Sequence, residues 1–268
     1  CGGVVSQAEP LDEPDCVKIV SDTITEDDRF VVEIRDLNVR NAPEDNFEIS
    51  QPYTHCTLKH CSFTAAGDDG VVLDGDIYSD GAVGTVLVLE HCDLSNNGDD
   101  GLYDDTDLAL IRAYHSTFNN NDGDGFDVND EPADVKLVHC EINDNDDDGI
   151  EADNGEFVRM ELFATEIRRN GERAIEVETN MQLSLKACTL EGTGGTPGNR
   201  GGDDEDTTSN IGLFLDPEES GDFAYVKIDG CTFSDFRVAI LDREDDEPVT
   251  NVVIRDTLIE DCDVGIYL

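Results

Sequence analysis

Residues 91–102 read HCDLSNNGDDGL, residues 115–126 read HSTFNNNDGDGF, and residues 139–150 read HCEINDNDDDGI. They are one unit written three times at a spacing of 24 residues. Self-similarity at a short fixed period marks a solenoid, whose repeats cannot bury their apolar side alone and must stack. Anchoring on the second residue of the unit extends it in both directions. The anchor column is Leu37, Cys61, Cys92, Ser116, Cys140, Thr165, Cys188, Cys231 and Thr257. Its one long step, Cys188 to Cys231, carries a polar Gly/Asp-rich insertion near 194–209.

Other columns follow without further adjustment. Two residues after the anchor stand Val39, Phe63, Leu94, Phe118, Ile142, Ile167, Leu190, Phe233 and Ile259. Three before it stand Ile34, Leu58, Leu89, Ala113, Leu137, Leu162, Leu185, Ile228 and Ile254. Five before it stand Val32, Cys56, Leu87, Ile111, Val135, Met160, Leu183, Val226 and Val252. Apolar residues alternate within short segments, which is the period of a strand. A third strand carries the inward pairs Val71/Leu73, Phe126/Val128, Ile150/Ala152, Ile175/Val177 and Leu213/Leu215. Between the second and third strands, Asn97, Asn121, Asn145 and Asn170 recur, followed by Gly70, Gly101, Gly125, Gly149 and Ala174. Asparagine tolerates the left-handed backbone of a tight turn and can bond to the asparagine of the next coil. The expected fold is an all-β, single-domain parallel β-helix of about nine coils, each of three short strands. It spans residues 30–268, after an acidic tether and first-coil cap over 1–29. The LxxLxLxxN pattern of leucine-rich repeats is absent, and a propeller blade needs a longer period.

The pattern resembles the pectate-lyase-like superfamily of right-handed parallel β-helices, which includes bacterial surface proteins. The resemblance covers roughly residues 30–268 and implies a right-handed solenoid. It implies no single activity, because that fold carries lyases, hydrolases, epimerases, adhesins and passive scaffolds.

The chain has 268 residues, with 64 acidic against 17 basic, formally −47. Phosphate recognition needs a basic footprint, so nucleic acid is excluded as a partner. The apolar fraction of 38% is patterned, which argues against disorder. No apolar run approaches the length of a membrane-crossing helix. Excess acid with five lysines suits high salt or abundant divalent cations. The chain opens Cys1-Gly2-Gly3 and continues through Glu9, Asp12, Glu13 and Asp15. This resembles a mature bacterial lipoprotein, acylated at Cys1 and tethered to the outer membrane or cell surface. Membrane contact is then expected only through that lipid.

Nine cysteines in an exported protein suggest disulfides. Here Cys61, Cys92, Cys140, Cys188 and Cys231 share one inward column with Ser and Thr, and Cys56 sits among Leu, Ile and Val. Coils about 4.8 Å apart hold neighbouring Cβ atoms beyond the roughly 3.8 Å of a disulfide. Buried thiols are therefore expected. His60, His91, His115 and His139 precede the anchor in four coils. They are either a transition-metal site or a ring stack that pads a turn, and the ring stack is preferred.

The strongest chemical signal is acidic. The turns AGDDG, NGDDG, NDGDG and NDDDG stack Asp69, Asp100, Asp124 and Asp148, with Asp68, Asp99 and Asp147 beside them. Unit charges about 4.8 Å apart repel by roughly 0.9 kcal/mol even at the dielectric of water. No lysine or arginine stands in these turns, so bound Ca²⁺ is the expected compensation, with diffuse ions on a salt-adapted surface as the alternative. A second acidic set follows the third strand: Asp74, Asp76, Asp104, Asp105, Asp107, Asp127, Asn129, Asp130 and Asp153. The resemblance implies that lyase relatives work beside the outward column Thr57, Val88, Arg112, Lys136 and Glu161. Arg112 and Lys136 with Asp105 are the nearest approach to a lyase site. Asp104, Asp105 and Asp127 are the nearest approach to a hydrolase cluster. Acid repeated on many coils reads as a surface, not a unique catalytic constellation. The leading expectation is a non-catalytic, cation-binding surface scaffold or adhesion module. The alternatives are a polysaccharide lyase, hydrolase or epimerase, and a filament subunit assembled end to end, since the pattern reaches Leu268 in mid-coil.

Overall fold

The computed structural model describes residues 16–19, 30–74, 84–106, 108–129, 132–153, 157–194, 209–216, 223–242 and 249–267. Cys1, most of the tether, Asp76, Asp107, Asp130 and residues 195–208 of the insertion lie outside them. The described chain is a right-handed parallel β-solenoid that visits three sheets in turn. Sheet I has nine described strands, from Phe30–Arg35 to Val249–Arg255. Sheet II starts with Asn38–Arg40 and Ser62–Thr64, continues as single bridges through Asp93 and Thr117, and resumes as strands from Glu141–Asn143 to Leu258–Glu260. Sheet III has ten described strands, from Val17–Ile19 to Val264–Tyr267. Its first strand pairs with Phe47–Ile49, so the coils begin inside the segment read as tether and cap.

The register follows the sequence columns. Val32, Cys56, Leu87, Ile111, Val135, Met160, Leu183, Val226 and Val252 are successive partners in sheet I. Val71, Leu102, Phe126, Ile150, Ile175, Leu213 and Ile240 are successive partners in sheet III. Each inward set joins one apolar core that runs the length of the stack.

The corners differ from expectation in one respect. The left-handed residue is not the recurrent asparagine but the one before it: Asn96, Asn120, Asp144 and Arg169, all at φ between 55 and 62°. That residue makes the bend, which frees Asn97, Asn121, Asn145 and Asn170 to turn their side chains into the buried interior. There the Oδ1 of Asn121, Asn145 and Asn170 accepts both the backbone N–H and the Nδ2–H of the preceding coil's asparagine, at 3.0–3.1 Å. The glycine column is the steric counterpart of this ladder. A Cβ on Gly125 would lie 2.7 Å from Asn145 Nδ2 and 2.7 Å from the Gly149 carbonyl oxygen. In the second coil Ala66 holds the asparagine position, and Asn46 reaches across to Asn97 Oδ1. The other corner, between sheets I and II, is also left-handed, and His60, His91, His115 and His139 occupy it at φ 53–56°.

The eight described cysteines are free thiols, six of them buried. Cys92 and Cys140 flank Ser116, whose Oγ accepts the Cys92 N–H at 3.1 Å. The thiols point at carbonyls of their own and neighbouring coils, as Cys92 does toward Leu58 O at 3.3 Å. Burial pushes Cys56 up to about 12 and Cys92 and Cys140 up to about 11, so all three stay protonated at neutral pH.

Asp104 departs from its expected place in an outward acidic loop. It stands in the inward column between Leu73 and Val128 and is 1% exposed. Its Oδ1 accepts from Thr106 Oγ1 at 2.8 Å and from Thr106 N at 3.3 Å. A carboxyl turned into the core cannot serve a surface hydrolase site, which removes it from that set.

Two outcomes are expected. Under denaturing, non-reducing conditions, Cys61, Cys92, Cys188 and Cys231 alkylate fully; mass-spectrometric detection of Cys61–Cys92 or Cys188–Cys231 as resistant pairs would refute the thiol column. Burial raises Asp104 to about 7, so its contribution is complete below the unfolded value of 3.8 and is lost as pH rises through 7. Urea unfolding in chelator at several pH values should show the parent losing up to ~4 kcal/mol relative to Asp104→Asn between pH 4 and pH 8. Parallel pH curves for the two proteins would refute the assignment.

Candidate functional site

The stacked turn acids form a continuous hydrogen-bonded ladder. Asp69 Oδ1 accepts the Asp100 N–H at 2.7 Å, Asp100 Oδ1 the Asp124 N–H at 2.6 Å, and Asp124 Oδ1 the Asp148 N–H at 2.6 Å. The ladder is longer than the four expected rungs. Asp45 begins it by accepting the Asp69 N–H at 3.0 Å, and Asp148 passes it on by accepting the Arg173 N–H at 2.7 Å. Part of the compensation for like charge is therefore backbone N–H, supplied one coil on. Arg173, in the aspartate column itself, places Nη1 3.2 Å from Asp148 Oδ2 and also contacts Glu176.

These carboxyls are not on a solvated surface. Asp69 and Asp100 are each 8% exposed, Asp124 6% and Asp148 1%. Their companions Asp68, Asp99 and Asp147 form the exposed rim of the turn. Burial raises Asp45 to about 6, Asp69 to about 8 and Asp100 to about 7, with neighbouring carboxylates adding to it and the N–H bonds opposing it. Burial also raises Asp99, Asp124 and Asp148, and Arg173 opposes the rise at Asp148.

A second acidic column lies beside the ladder, on the outer face of sheet III. Asp127 pairs in register with Glu151, and Glu176 follows one coil on beside Ile175. Each stands three residues after its ladder partner (Asp124, Asp148 or Arg173), so one short strand presents both columns to the same space. Asp124, Asp127 and Glu151 bring one oxygen each to within 4.8 Å of one another, as do Asp148, Glu151 and Glu176. Oxygens bound to a single ion at 2.3–2.6 Å lie at most about 5 Å apart, so each group fits one hard cation. Asp127 is 7% exposed, and its Oδ1 is buried without a hydrogen-bond partner. Burial, with Asp100, Glu151 and Asp153 nearby, raises it to about 9. Asp45, Asp68 and Asp69 form a further, more open group.

The sequence singled out the ladder acids and named Asp127 only as a hydrolase candidate. It missed Asp45, Glu151, Glu176 and Arg173. The signal for Glu151 and Glu176 was present as alternation, in which every second residue of a third-strand segment faces outward.

The other candidates are not brought together with this cluster. Arg112 and Lys136 are neighbours in register on the outer face of sheet I. Arg112 pairs with Asp134 at 2.7 Å and Lys136 with Glu161 at 3.2 Å. Asp105 follows a strand of sheet III instead. The four histidines stack face to face, with centroids 4.9–5.1 Å apart and planes within 11°. Parallel rings aim their in-plane nitrogens side by side, which is the ring-stack geometry. Phe163 closes the stack edge-on at 5.7 Å.

No curated protein matches the sequence. A solved structure, the crystal structure of pectate lyase Pel9A, aligns over 90% of this chain and 58% of that one, at 11% identity and a TM-score of 0.42. That likeness is too distant to carry an argument about activity. The sequence model of the family described as "Right handed beta helix region" matches residues 22–190, more than half of the chain. With the register observed coil by coil, the chain belongs to the right-handed β-helix family.

Proposed function

We propose that this protein is a non-catalytic β-helix scaffold or adhesion module that binds divalent cations, Ca²⁺ foremost, along its acidic spine. Export to the cell surface is part of this reading. The observation that carries it is Asp127, whose Oδ1 is buried, unpartnered and grouped with Asp124 and Glu151. A buried carboxylate without a partner is costly, and it either takes up a proton or meets a cation. The donor set is all oxygen and arises on consecutive coils with adaptable side chains, which suits calcium better than a strict octahedral or soft ion. The spread of acid over successive coils, and the ion pairing of Arg112 and Lys136, favour binding over catalysis.

The expected outcome is that millimolar calcium raises the unfolding temperature by about 5 °C or more. Sodium chloride of equal ionic strength should not reproduce the rise, and Asp127→Asn should remove most of it. Sodium chloride matching the calcium effect, or an unchanged response in the variant, would sink the reading.

The outer face of sheet I favours a second reading, in which the module holds an anionic polysaccharide. Arg35, Lys59, Arg112, Lys136, Arg159, Lys186, Lys227 and Arg255 lie there, eight of the seventeen basic residues in a chain of charge −47. Glu33, Glu90, Asp134, Glu161 and Asp229 share the face, which leaves it locally positive. Phe163 and Tyr225 are exposed among them. A hollow of about 410 Å³ lies between Lys136, Phe163, Ser184 and Lys186. Polygalacturonate should bind in chelator as well as in calcium, and Lys136→Gln with Lys186→Gln should weaken it at least fivefold by calorimetry. Binding that needs calcium and ignores both lysines would move the polymer to the acidic spine.

A further inference from the structure

The acidic ladder does not fade out; it ends on an arginine. Arg173 holds the next place in the aspartate column, and its N–H completes the last rung on Asp148. Its guanidinium lies among the carboxylates that end both acidic columns. Nη1 is 3.2 Å from Asp148 Oδ2 and in contact with Glu176, and the group lies 4.7 Å over the ring of Phe214. Phe214 pairs in register with Glu176, so it takes the next place in the outer column and ends the acidic row with an apolar wall.

One coil earlier the arrangement repeats without an arginine. Asp124, Asp127 and Glu151 are spaced as Asp148, Glu151 and Glu176 are. Among the described residues no ion pair is formed by any of the first three, whereas Arg173 pairs with two of the second three. We propose that the Arg173 guanidinium is a built-in cation: it stands where a dissolved ion binds one coil earlier, and it keeps the Asp148–Glu151–Glu176 group from taking up an ion of its own. This rests on the cation reading above. The Asp148–Glu151–Glu176 group is then a latent metal site, and Arg173 sets how many ions the spine holds.

Glu176 supplies the independent support. It is 1% exposed, and neither Oε1 nor Oε2 has a hydrogen-bond partner, although the arginine makes an ion contact at Oε2. A guanidinium placed only to neutralise this carboxylate would form the two-pronged pair that arginine makes readily. Instead the ion contact is made at Oε2, and the carboxylate stays buried without a hydrogen bond within 4.8 Å of Asp148 and Glu151 oxygens, as a ligand carboxylate would be.

The test counts calcium ions bound by the full chain, by isothermal titration at fixed ionic strength with circular dichroism as the check on folding. Arg173→Met should bind one more calcium than the parent, Arg173→Lys should bind the same number, and adding Glu176→Gln to Arg173→Met should remove the gained ion. If folded Arg173→Met binds the parental number while Asp127→Asn still loses an ion, this inference falls and the cation reading stands. If the parent binds none and Arg173→Met binds one, the cation reading at Asp127 fails and the latent site is upheld. If neither binds calcium, both fall. Should Arg173→Met unfold in chelator, recovery of its β-sheet spectrum by calcium but not by sodium chloride supports the proposal. Failure to recover would assign Arg173 a packing role that no ion can replace.

Discussion

Everything in this molecule follows from the translation between coils. Parallel strands in register put each side chain about 4.8 Å from its counterpart on the next coil. A residue type chosen once is therefore chosen again, and its interaction with itself becomes the interaction that repeats. Branched apolar side chains gain from this at no cost, and they fill the core from end to end. Asparagine gains more, because an amide is both donor and acceptor and can satisfy its own copy. Histidine rings stack. Aspartate is the one type for which self-stacking is repulsive, and that is where the structure needs something besides its own repeat.

Much of this was legible in the residues. The nine-member columns transferred directly into strand partners, because alternation and a constant offset together leave no freedom of register. Cysteines in an inward column with Ser and Thr read as thiols for the same reason. What the repeat concealed was the difference between neighbouring turn positions. Asn96 and Asn97 are the same residue type, yet one bends the chain and the other carries the ladder. Asp104 and Asp105 likewise look equivalent in the sequence. The pleat turns the first into the core, where a threonine hydroxyl two residues on receives it. The acidic cluster was half legible. Its turn acids were conspicuous as DDG and GDG, whereas Glu151 and Glu176 occur as single outward residues of strands and join the cluster only once the turn is folded against sheet III.

Arg173 shows most clearly why a column must be read to its end. Within the four turns that define the motif, no lysine or arginine occurs, and the ladder looks uncompensated. One coil further the sequence writes RNGERAI where earlier coils write NDGDGF or NDDDGI, and the place of the aspartate is taken by the opposite charge. The backbone bond that links the rungs is indifferent to this change, since it uses only the N–H. Charge can therefore be altered rung by rung while the ladder geometry stays fixed.

Burial separates the two ways in which so acidic a chain can live with its charge. Dissolved ions screen exposed charges over a Debye length of about 8–10 Å and act much less on buried ones. Asp68, Asp99 and Asp147 on the rim of the turn belong to the first class, where dissolved ions reach them from the solvent side. Asp69, Asp100, Asp124 and Asp127 belong to the second: each is at most 8% exposed, and each is driven toward its neutral form by burial. For these, an ion atmosphere outside the protein is no substitute for a proton or a cation inside the turn. The two occupants compete for the same oxygens, and above the raised proton affinities the backbone N–H groups of the ladder are joined by a coordinated cation or by nothing. Salt in the solvent reaches the rim; the interior rungs answer only to what enters the turn itself, a proton or a coordinated cation.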